Sequence, residues 1–166
     1  MKKPIPKIAW TFSDGTQYGH EGAPLVIGDT MYLVAPYPNT AYALDLTKPG
    51  PAIKWKFDPN PSPQAIGKAC CDAVLRGWAY ADGKLIYSLL DDNTVAVDVA
   101  TGKEVWRTKM DRVEHGVTMT QSAFAADGKV FVGNSGGEMG VNGWLAALDV
   151  KTGKELWRAH AVGPDT

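Results

Sequence analysis

Short apolar runs separated by turn residues make up most of this chain. The run Ala23–Ile27 is followed by the pair Gly28–Asp29, and the run Met31–Val34 comes soon after it. Asp-Gly-Lys followed by an apolar run then recurs at residues 82–87 and 127–132. Asp-Gly between apolar runs favours a β-hairpin, because glycine accepts the positive φ that tight turns require. The pattern therefore predicts many short antiparallel strands.

These hairpins belong to a longer repeat. The segment Val95–Arg107 recurs as Leu145–Arg158, and a looser copy covers Tyr42–Lys56. Each copy has an aspartate, a turn containing glycine and a tryptophan, and the three tryptophans (Trp55, Trp106 and Trp157) are evenly spaced. Because the copies share this pattern, we expect the aspartate and the glycine turn, which is a Thr-Gly pair in the second and third copies, to form turns and the tryptophan to pack between units.

Four-stranded units of this length are typical of β-propeller blades. We therefore expect an all-β fold, a partial β-propeller forming a single domain over residues 1–166. Its approximate blades are residues 22–58, 76–109 and 120–160, and residues 1–12, around Trp10, are expected to be the end of a preceding blade. Propellers usually have about four to eight blades, so this chain is expected to be part of a larger ring.

The composition argues against several classes of function. The chain has 17 basic and 18 acidic residues and a net charge of -1, which gives no footprint for nucleic acid or an anionic membrane surface. Hydrophobic residues make up 45% of the sequence, enough for a packed core. No apolar run has the length of a membrane span, and the start Met1–Lys7 lacks the apolar core of a secretion signal.

The two cysteines, Cys70 and Cys71, are adjacent, and the sequence has no others. Bonded to each other, they would close a small strained ring that persists only where its surroundings hold it. Reduced and buried, they would pack as small apolar groups. The pair alone leaves both states open.

Function is expected where the units differ, because repeated features build the scaffold. Three stretches break the repeat, at residues 19–24, 70–77 and 133–143, and residues 118–122 lead into the third blade. If these loops converge on one end of the central channel, they line a polar pocket with Glu21, Asp72, Arg76, Thr120, Ser135 and Glu138.

Two of these residues have alternative roles. Glu138 lies among glycines, which suits an oxygen-ligated cation such as calcium, but a solvated loop carboxylate is the simpler interpretation. Arg76 would either orient a carboxylated ligand or pair with Asp72.

The segments Cys70–Gly77 and Gly133–Val141, with Trp10–Ser13, His20–Pro24 and Tyr42–Leu46, resemble the alcohol dehydrogenases that depend on pyrroloquinoline quinone (PQQ). They look most like the methanol dehydrogenase large subunits, and Gly137 is similar to the small residue of the lanthanide-dependent branch. The resemblance covers nearly the whole chain. It implies an eight-bladed quinoprotein propeller that oxidises primary alcohols to aldehydes and passes the electrons through PQQ to a cytochrome c.

The resemblance also implies roles for individual residues. Cys70 and Cys71 would form a vicinal disulfide against one face of the quinone, and the metal, calcium or a lanthanide, would be bound by Glu138. The remaining cofactor-binding residues would be Glu21, Arg76, Thr120, Ser135, Gly136 and Gly137.

The family's general-base aspartate, a metal-binding asparagine and a second cofactor arginine are expected in later blades. The resemblance therefore places no catalytic residue in this chain, and the isolated chain is expected to be inactive. Leu75 and Asn142 stand where the family usually has asparagine and arginine.

The implied partners are a small primary alcohol, a cytochrome c and, for the full-length protein, a second copy in a homodimer. A periplasmic location is implied by the family and by the disulfide, which needs an oxidising compartment. Two alternatives remain: a non-catalytic PQQ-like propeller that serves as a binding or assembly scaffold, and a short product that assembles with other chains. A scaffold shares the tryptophan repeat but has no need of residues 70–77 and 133–141.

Overall fold

A computed structural model describes residues 5–163 of the chain. Residues 1–4 and 164–166 lie outside the described part. The first four of these belong to residues 1–12, which were predicted to be the end of a preceding blade. Short 3-10 helices cover Pro63–Ala65, Val113–His115 and Gly137–Met139. The strands within residues 5–163 are β1 Leu25–Ile27, β2 Thr30–Val34, β3 Ala41–Asp45, β4 Ala52–Phe57, β5 Ala79–Ala81, β6 Lys84–Ser88, β7 Asn93–Asp98, β8 Glu104–Lys109, β9 Phe124–Ala126, β10 Lys129–Gly133, β11 Trp144–Asp149 and β12 Glu155–His160.

The strands form three antiparallel four-stranded sheets, each built from four consecutive strands in chain order. Strands β1–β4, β5–β8 and β9–β12 make the first, second and third sheets. Each sheet has a register shift at the same place, between its third and fourth strands, at Ala43/Leu44, Ala96/Val97 and Ala147/Leu148. The predicted all-β, repeated propeller architecture is confirmed.

Repeated aspartates close the turns between third and fourth strands. Asp98 Oδ1 accepts hydrogen bonds from the backbone N–H of Thr101 at 2.8 Å and from its hydroxyl at 2.7 Å. Asp45 with Thr47 and Asp149 with Thr152 form the same pair of bonds. The expected turn chemistry of the aspartate and threonine is therefore confirmed.

Tryptophans join neighbouring sheets. The indole N–H of Trp55 donates to the backbone oxygen of Val99 at 3.1 Å, and that of Trp106 donates to Val150 at 3.1 Å. Apolar clusters fill the spaces between the first and second sheets and between the second and third. Packing between units, predicted from the repeat, is thus confirmed for these two tryptophans, whereas Trp157 on the third sheet is 42% exposed.

The described part of the segment before β1 runs alongside the first sheet but forms no strand. Trp10 and Phe12 pack against a cluster containing Tyr42 and Leu44. The assignment of residues 1–12 to a preceding blade stays a prediction. Within residues 5–163, no helix has the length and apolar character needed to cross a membrane.

Candidate functional site

The stretches that break the repeat meet at one end of the three sheets. In an up-and-down sheet, the turn between the second and third strands lies at the same end as the loop that leaves the fourth strand. Cys70 and Arg76 lie in the loop between β4 and β5, Thr120 in the loop between β8 and β9, and Glu138 in the hairpin between β10 and β11. The topology therefore places these three segments at the same end of their respective sheets.

A cavity of about 160 Å³ lies where these loops meet. Seven of its nine lining residues have polar or sulfur-containing side chains, and the other two are aliphatic. The lining residues are Ala69, Cys70, Cys71, Asp72, Val74, Arg76, Thr120, Ser135 and Glu138.

Arg76 connects the three segments that lead into the three sheets beside this cavity. Its Nη2 lies 2.9 Å from Glu21 Oε2, and its Nη1 donates to Thr120 Oγ1 at 2.9 Å. The hydroxyls of Thr120 and Ser135 are 3.1 Å apart. The alternative pairing of Arg76 with Asp72 is not formed, because the Asp72 carboxylate is bonded to the backbone N–H groups of Gly19 and Ala73, each at 2.7 Å.

The adjacent cysteines are joined by a disulfide, the first of the two states that the sequence left open. Asp72 follows directly, and its backbone has a φ of 92°. The bonds from Gly19 and Ala73 lower the pKa of the Asp72 carboxyl, so this carboxylate is charged at neutral pH.

The hairpin that carries Glu138 is shaped by glycine. At Gly136, with a φ of 122°, a β-carbon would lie 2.5 Å from the backbone oxygen of Gly116, so no other residue fits there. A β-carbon at Gly137 would meet nothing within 4 Å, which leaves open space directly before Glu138. Ser135 is tied into the wall by backbone hydrogen bonds to Thr118 in both directions.

Acidic and histidine ligands are too sparse here for a complete metal site. Within residues 5–163, no three side chains of His, Cys, Asp or Glu are gathered closely enough to hold a metal ion. His20 instead bonds Asp14 Oδ2 at 2.7 Å. Glu138 would therefore contribute one ligand of a larger set.

The structure gathers most of the residues predicted from sequence. Cys70, Cys71, Arg76, Thr120, Ser135 and Glu138 all line the cavity. Glu21 joins them through Arg76, while Gly136 and Gly137 form the backbone between Ser135 and Glu138. Ala69 and Val74 were not predicted from the sequence, because their small apolar side chains carry no chemical signature. Their positions beside the cysteine pair and Arg76 were the only available signal.

Comparison with known proteins finds a family profile that matches nearly the whole chain. The sequence profile described as "PQQ: Glucose/ethanol/alcohol dehydrogenase, beta-propeller domain" matches residues 7–165. The lanthanide-dependent methanol dehydrogenase of Methylacidiphilum fumariolicum (strain SolV) is 49% identical over 159 residues, covering 96% of this chain and 26% of that protein. Subunit 1 of the cytochrome c methanol dehydrogenase of Methylorubrum extorquens is 45% identical over 163 residues, covering 95% of this chain and 26% of that protein.

Solved structures give the same result. A europium-containing methanol dehydrogenase superimposes with a TM-score of 0.92 at 49% identity, over 96% of this chain and 28% of that one. BamB from Moraxella catarrhalis superimposes with a TM-score of 0.61 at 18% identity, over 91% of this chain and 39% of that one, which shows a shared fold alone. The chain thus spans about a quarter of the length of the curated relatives it matches.

Proposed function

This chain belongs to the PQQ β-propeller family of alcohol dehydrogenases, and from this premise we propose that it forms one wall of the active site of a methanol-type dehydrogenase. The complete enzyme would oxidise small primary alcohols to aldehydes. The observation that carries the proposal is the cavity that the Cys70–Cys71 disulfide, Arg76, Thr120, Ser135 and Glu138 line together.

The donor set of this cavity fits the proposed cofactor. PQQ is a flat quinone with several carboxylates, so it needs an apolar surface for its ring face and cationic or hydroxyl donors for its edge. The disulfide supplies polarisable sulfur without charge, and Arg76 supplies a guanidinium. These residue types support a site for a planar anion better than a site for a neutral sugar or a peptide.

Arg76, Thr120 and Ser135 would bind the carboxylate edge. Glu21 and Thr120 hold the guanidinium from two directions, so its orientation is fixed before a ligand arrives. Thr120 Oγ1 accepts from Arg76 and shares one hydrogen with Ser135. Two hydroxyls carry two hydrogens, so one O–H remains to donate to an acceptor in the cavity.

Glu138 would be this chain's ligand to a hard cation, calcium or a lanthanide. Carboxylate oxygens suit both ions. The open space at Gly137 leaves room beside the carboxylate for further ligands. The choice of a lanthanide is supported by the resemblance of Gly137 to the small residue of the lanthanide-dependent branch and by a relative named as lanthanide-dependent. When bound, the quinone and its metal would supply the acceptor for two electrons from the alcohol.

The remaining catalytic groups would come from outside this chain. Within residues 5–163, the carboxylates at the cavity are Asp72 and Glu138, and the Asp72 oxygens are already used by backbone N–H groups. Neither is placed as a general base in this proposal. The isolated chain is accordingly expected to be inactive.

Electrons would leave to a cytochrome c, as the name of one relative suggests, and the enzyme would work in the periplasm. The disulfide supports an oxidising compartment. A homodimer of the complete protein stays a prediction. A non-catalytic scaffold would give no role to the cysteine pair, Arg76 and Glu138 lying around one cavity.

The test uses the full-length protein with PQQ and either La³⁺ or Ca²⁺. We expect reduction of an electron-accepting dye on addition of methanol or ethanol, and aldehyde in equal amount. Glu138→Gln should raise the metal concentration needed for half-maximal rate at least about tenfold, because a neutral amide replaces a charged oxygen ligand. Glu104→Gln, on the outer strand β8, is the matched control and should leave that concentration unchanged.

Two results would contradict the proposal. One is the absence of PQQ binding by the full-length protein with either metal. The other is alcohol oxidation with the same metal dependence in the Glu138→Gln and wild-type proteins.

A further inference from the structure

The hydrogen bond between Gly19 and Asp72 joins the two loops that flank the proposed quinone site. Asp72 Oδ2 accepts from the Gly19 backbone N–H at 2.7 Å, across 53 positions of sequence. We propose that Asp72 is a positioning residue that fixes the disulfide loop against the Glu21 segment. The inference rests on the proposed function in so far as these two loops bind the quinone.

The backbone of Asp72 argues that its side chain is required. A φ of 92° is costly for a residue with a β-carbon, whereas glycine adopts it freely. A plain turn at this point would be built more easily with glycine. The aspartate is therefore explained by its contacts, since both carboxylate oxygens accept a backbone N–H, from Gly19 and from Ala73.

These bonds are charge-assisted, and they are present at physiological pH. Their effect is to lower the pKa of the Asp72 carboxyl, the bond from Gly19 having the larger effect and the bond from Ala73 the next. An ionised acceptor binds a backbone N–H about twice as strongly as a neutral one. The hydrogen bond from Gly19 to Asp72, called the anchor below, is consequently formed over the whole pH range in which the carboxylate stays charged.

Asp72 and Arg76 tie the same two segments together at successive points. Gly19 is bonded to Asp72, Glu21 pairs with Arg76 at 2.9 Å, and the Ala23 N–H donates to the Arg76 backbone oxygen at 3.4 Å. The fit is close at the first of these points, because a β-carbon on Gly19 would lie 3.1 Å from Asp72 Oδ2.

The position of Asp72 makes the anchor relevant to the site. It directly follows Cys71, so fixing Asp72 fixes the end of the disulfide loop. Its bond to Gly19 acts two residues before Glu21, whose carboxylate orients Arg76. Asp72 also lines the cavity, but both of its carboxylate oxygens are used by backbone N–H groups, so it acts on the site by setting the distance between the sulfur-lined face and the cationic edge.

The experiment compares Asp72→Gly, Asp72→Asn and Asp127→Gly in the full-length protein. Glycine keeps the positive φ and removes the anchor, and asparagine keeps one oxygen acceptor. Asp127, with a φ of 48° in the Asp-Gly turn before β10, is the matched control for loss of an aspartate at positive φ. The readouts are deuterium exchange of the peptide spanning residues 17–23 and the dissociation constant of PQQ with La³⁺.

For Asp72→Gly we expect exchange at residues 17–23 to accelerate about tenfold or more and the PQQ dissociation constant to rise by a similar factor, the worth of one charge-assisted bond. Asp72→Asn should recover both values to within about threefold of wild type, and Asp127→Gly should change neither. Gly19→Ala is a second variant that crowds the same bond from its other end, and it should shift both readouts in the direction of Asp72→Gly.

Unchanged exchange in Asp72→Gly would overturn the anchoring role. Faster exchange with a PQQ dissociation constant within about twofold of wild type would overturn the positioning role and leave a local structural contact. Wild-type protein that binds no PQQ would instead overturn the proposed function. The exchange measurement needs no quinone, so it would still decide whether Asp72 holds the two loops together.

Discussion

Gly153 lies directly against the indole ring of Trp106, so that a β-carbon on this glycine would come within 2.5 Å of the ring. Gly102 has the same relationship with Trp55, at 2.6 Å. Each tryptophan therefore covers a glycine of the following unit while its N–H bonds a carbonyl three residues earlier in the same turn. The Thr-Gly turn serves two purposes, closing one sheet and receiving the tryptophan of the sheet before it.

Gly153→Ala should destabilise the chain by well over the cost of the backbone alone. At a φ of 71°, alanine costs about 1–2 kcal/mol, and the clash with Trp106 adds a cost on the order of 1–3 kcal/mol for overpacking. Gly128→Ala is the control, because Gly128 has a φ of 72° and nothing within 4 Å of a β-carbon. Urea unfolding of both variants measures the difference, and equal destabilisation would contradict the packing role of Gly153.

Removal of the tryptophans should have unequal effects. Trp106→Ala should cost about 3–5 kcal/mol of unfolding free energy, because the side chain is 8% exposed and bonded to Val150. Trp157→Ala should cost less than about 1 kcal/mol in the same chain, since this indole is 42% exposed. Urea titrations of the two variants give the comparison. A large loss in Trp157→Ala would mean that its exposed face is covered in solution, for example by a second copy of the chain.

Much of the scaffold was predictable because its contacts are local. The Asp-Gly hairpins and the bonds of Asp98 to Thr101 involve residues close in sequence, so a single unit contains the whole signal. The repeat then predicted the tryptophan contacts, because the same residue at the same position of every unit needs a structural cause. The fourth strands β4, β8 and β12, which carry the repeated tryptophans, follow directly from that repeat.

The site was less predictable, since its contacts join distant segments. Sequence identified Glu21, Asp72 and Arg76 as residues that break the repeat, but left Arg76 with two possible partners. The pairing with Glu21 depends on how the segment before β1 lies beside the β4–β5 loop, and no periodicity encodes that. The disulfide was likewise open until the resemblance was considered, because adjacent cysteines fit either state.

A buried carboxyl group gives a pH-dependent prediction that the sequence did not suggest. Asp92, in the turn between β6 and β7, is fully buried, and neither carboxylate oxygen has a hydrogen-bond partner. Burial raises the pKa of Asp92 from 3.8 to about 8; the charge of Lys109 opposes this, while Asp111, Asp91 and Glu114 add to it. The carboxyl is therefore protonated in the folded chain at neutral pH.

The folded-state pKa of Asp92 lies above the unfolded value, so stability is lost as the pH rises. The contribution of the Asp92 carboxyl to the unfolding free energy is fully present below about pH 4. It is lost progressively as the pH rises to about 8. Asp92→Asn cannot ionise, so its unfolding free energy relative to wild type should increase by up to about 1.4 kcal/mol for each pH unit in this window. Urea unfolding from pH 4 to 8 tests this, with Asp127→Asn as a control that should follow wild type. A difference independent of pH would refute the prediction.

Arg76 should not be replaceable by lysine, although the charge is the same. The guanidinium reaches Glu21 with one terminal nitrogen and Thr120 with the other, each at 2.9 Å, and a single ammonium group cannot reproduce this fork. Arg76→Lys in the full-length protein should therefore raise the PQQ dissociation constant about tenfold or more, as lost charge-assisted hydrogen bonds do. Arg107→Lys is the matched control and should bind PQQ like wild type, because the Arg107 guanidinium pairs with Glu104 on the outer strand β8.

Because Arg76 and Glu21 are both about half exposed, their pairing contributes little to folding. Normal unfolding free energy with weakened PQQ binding would show that the two guanidinium contacts serve ligand binding. Weakened folding with unchanged PQQ binding would show that they serve only the stability of the fold.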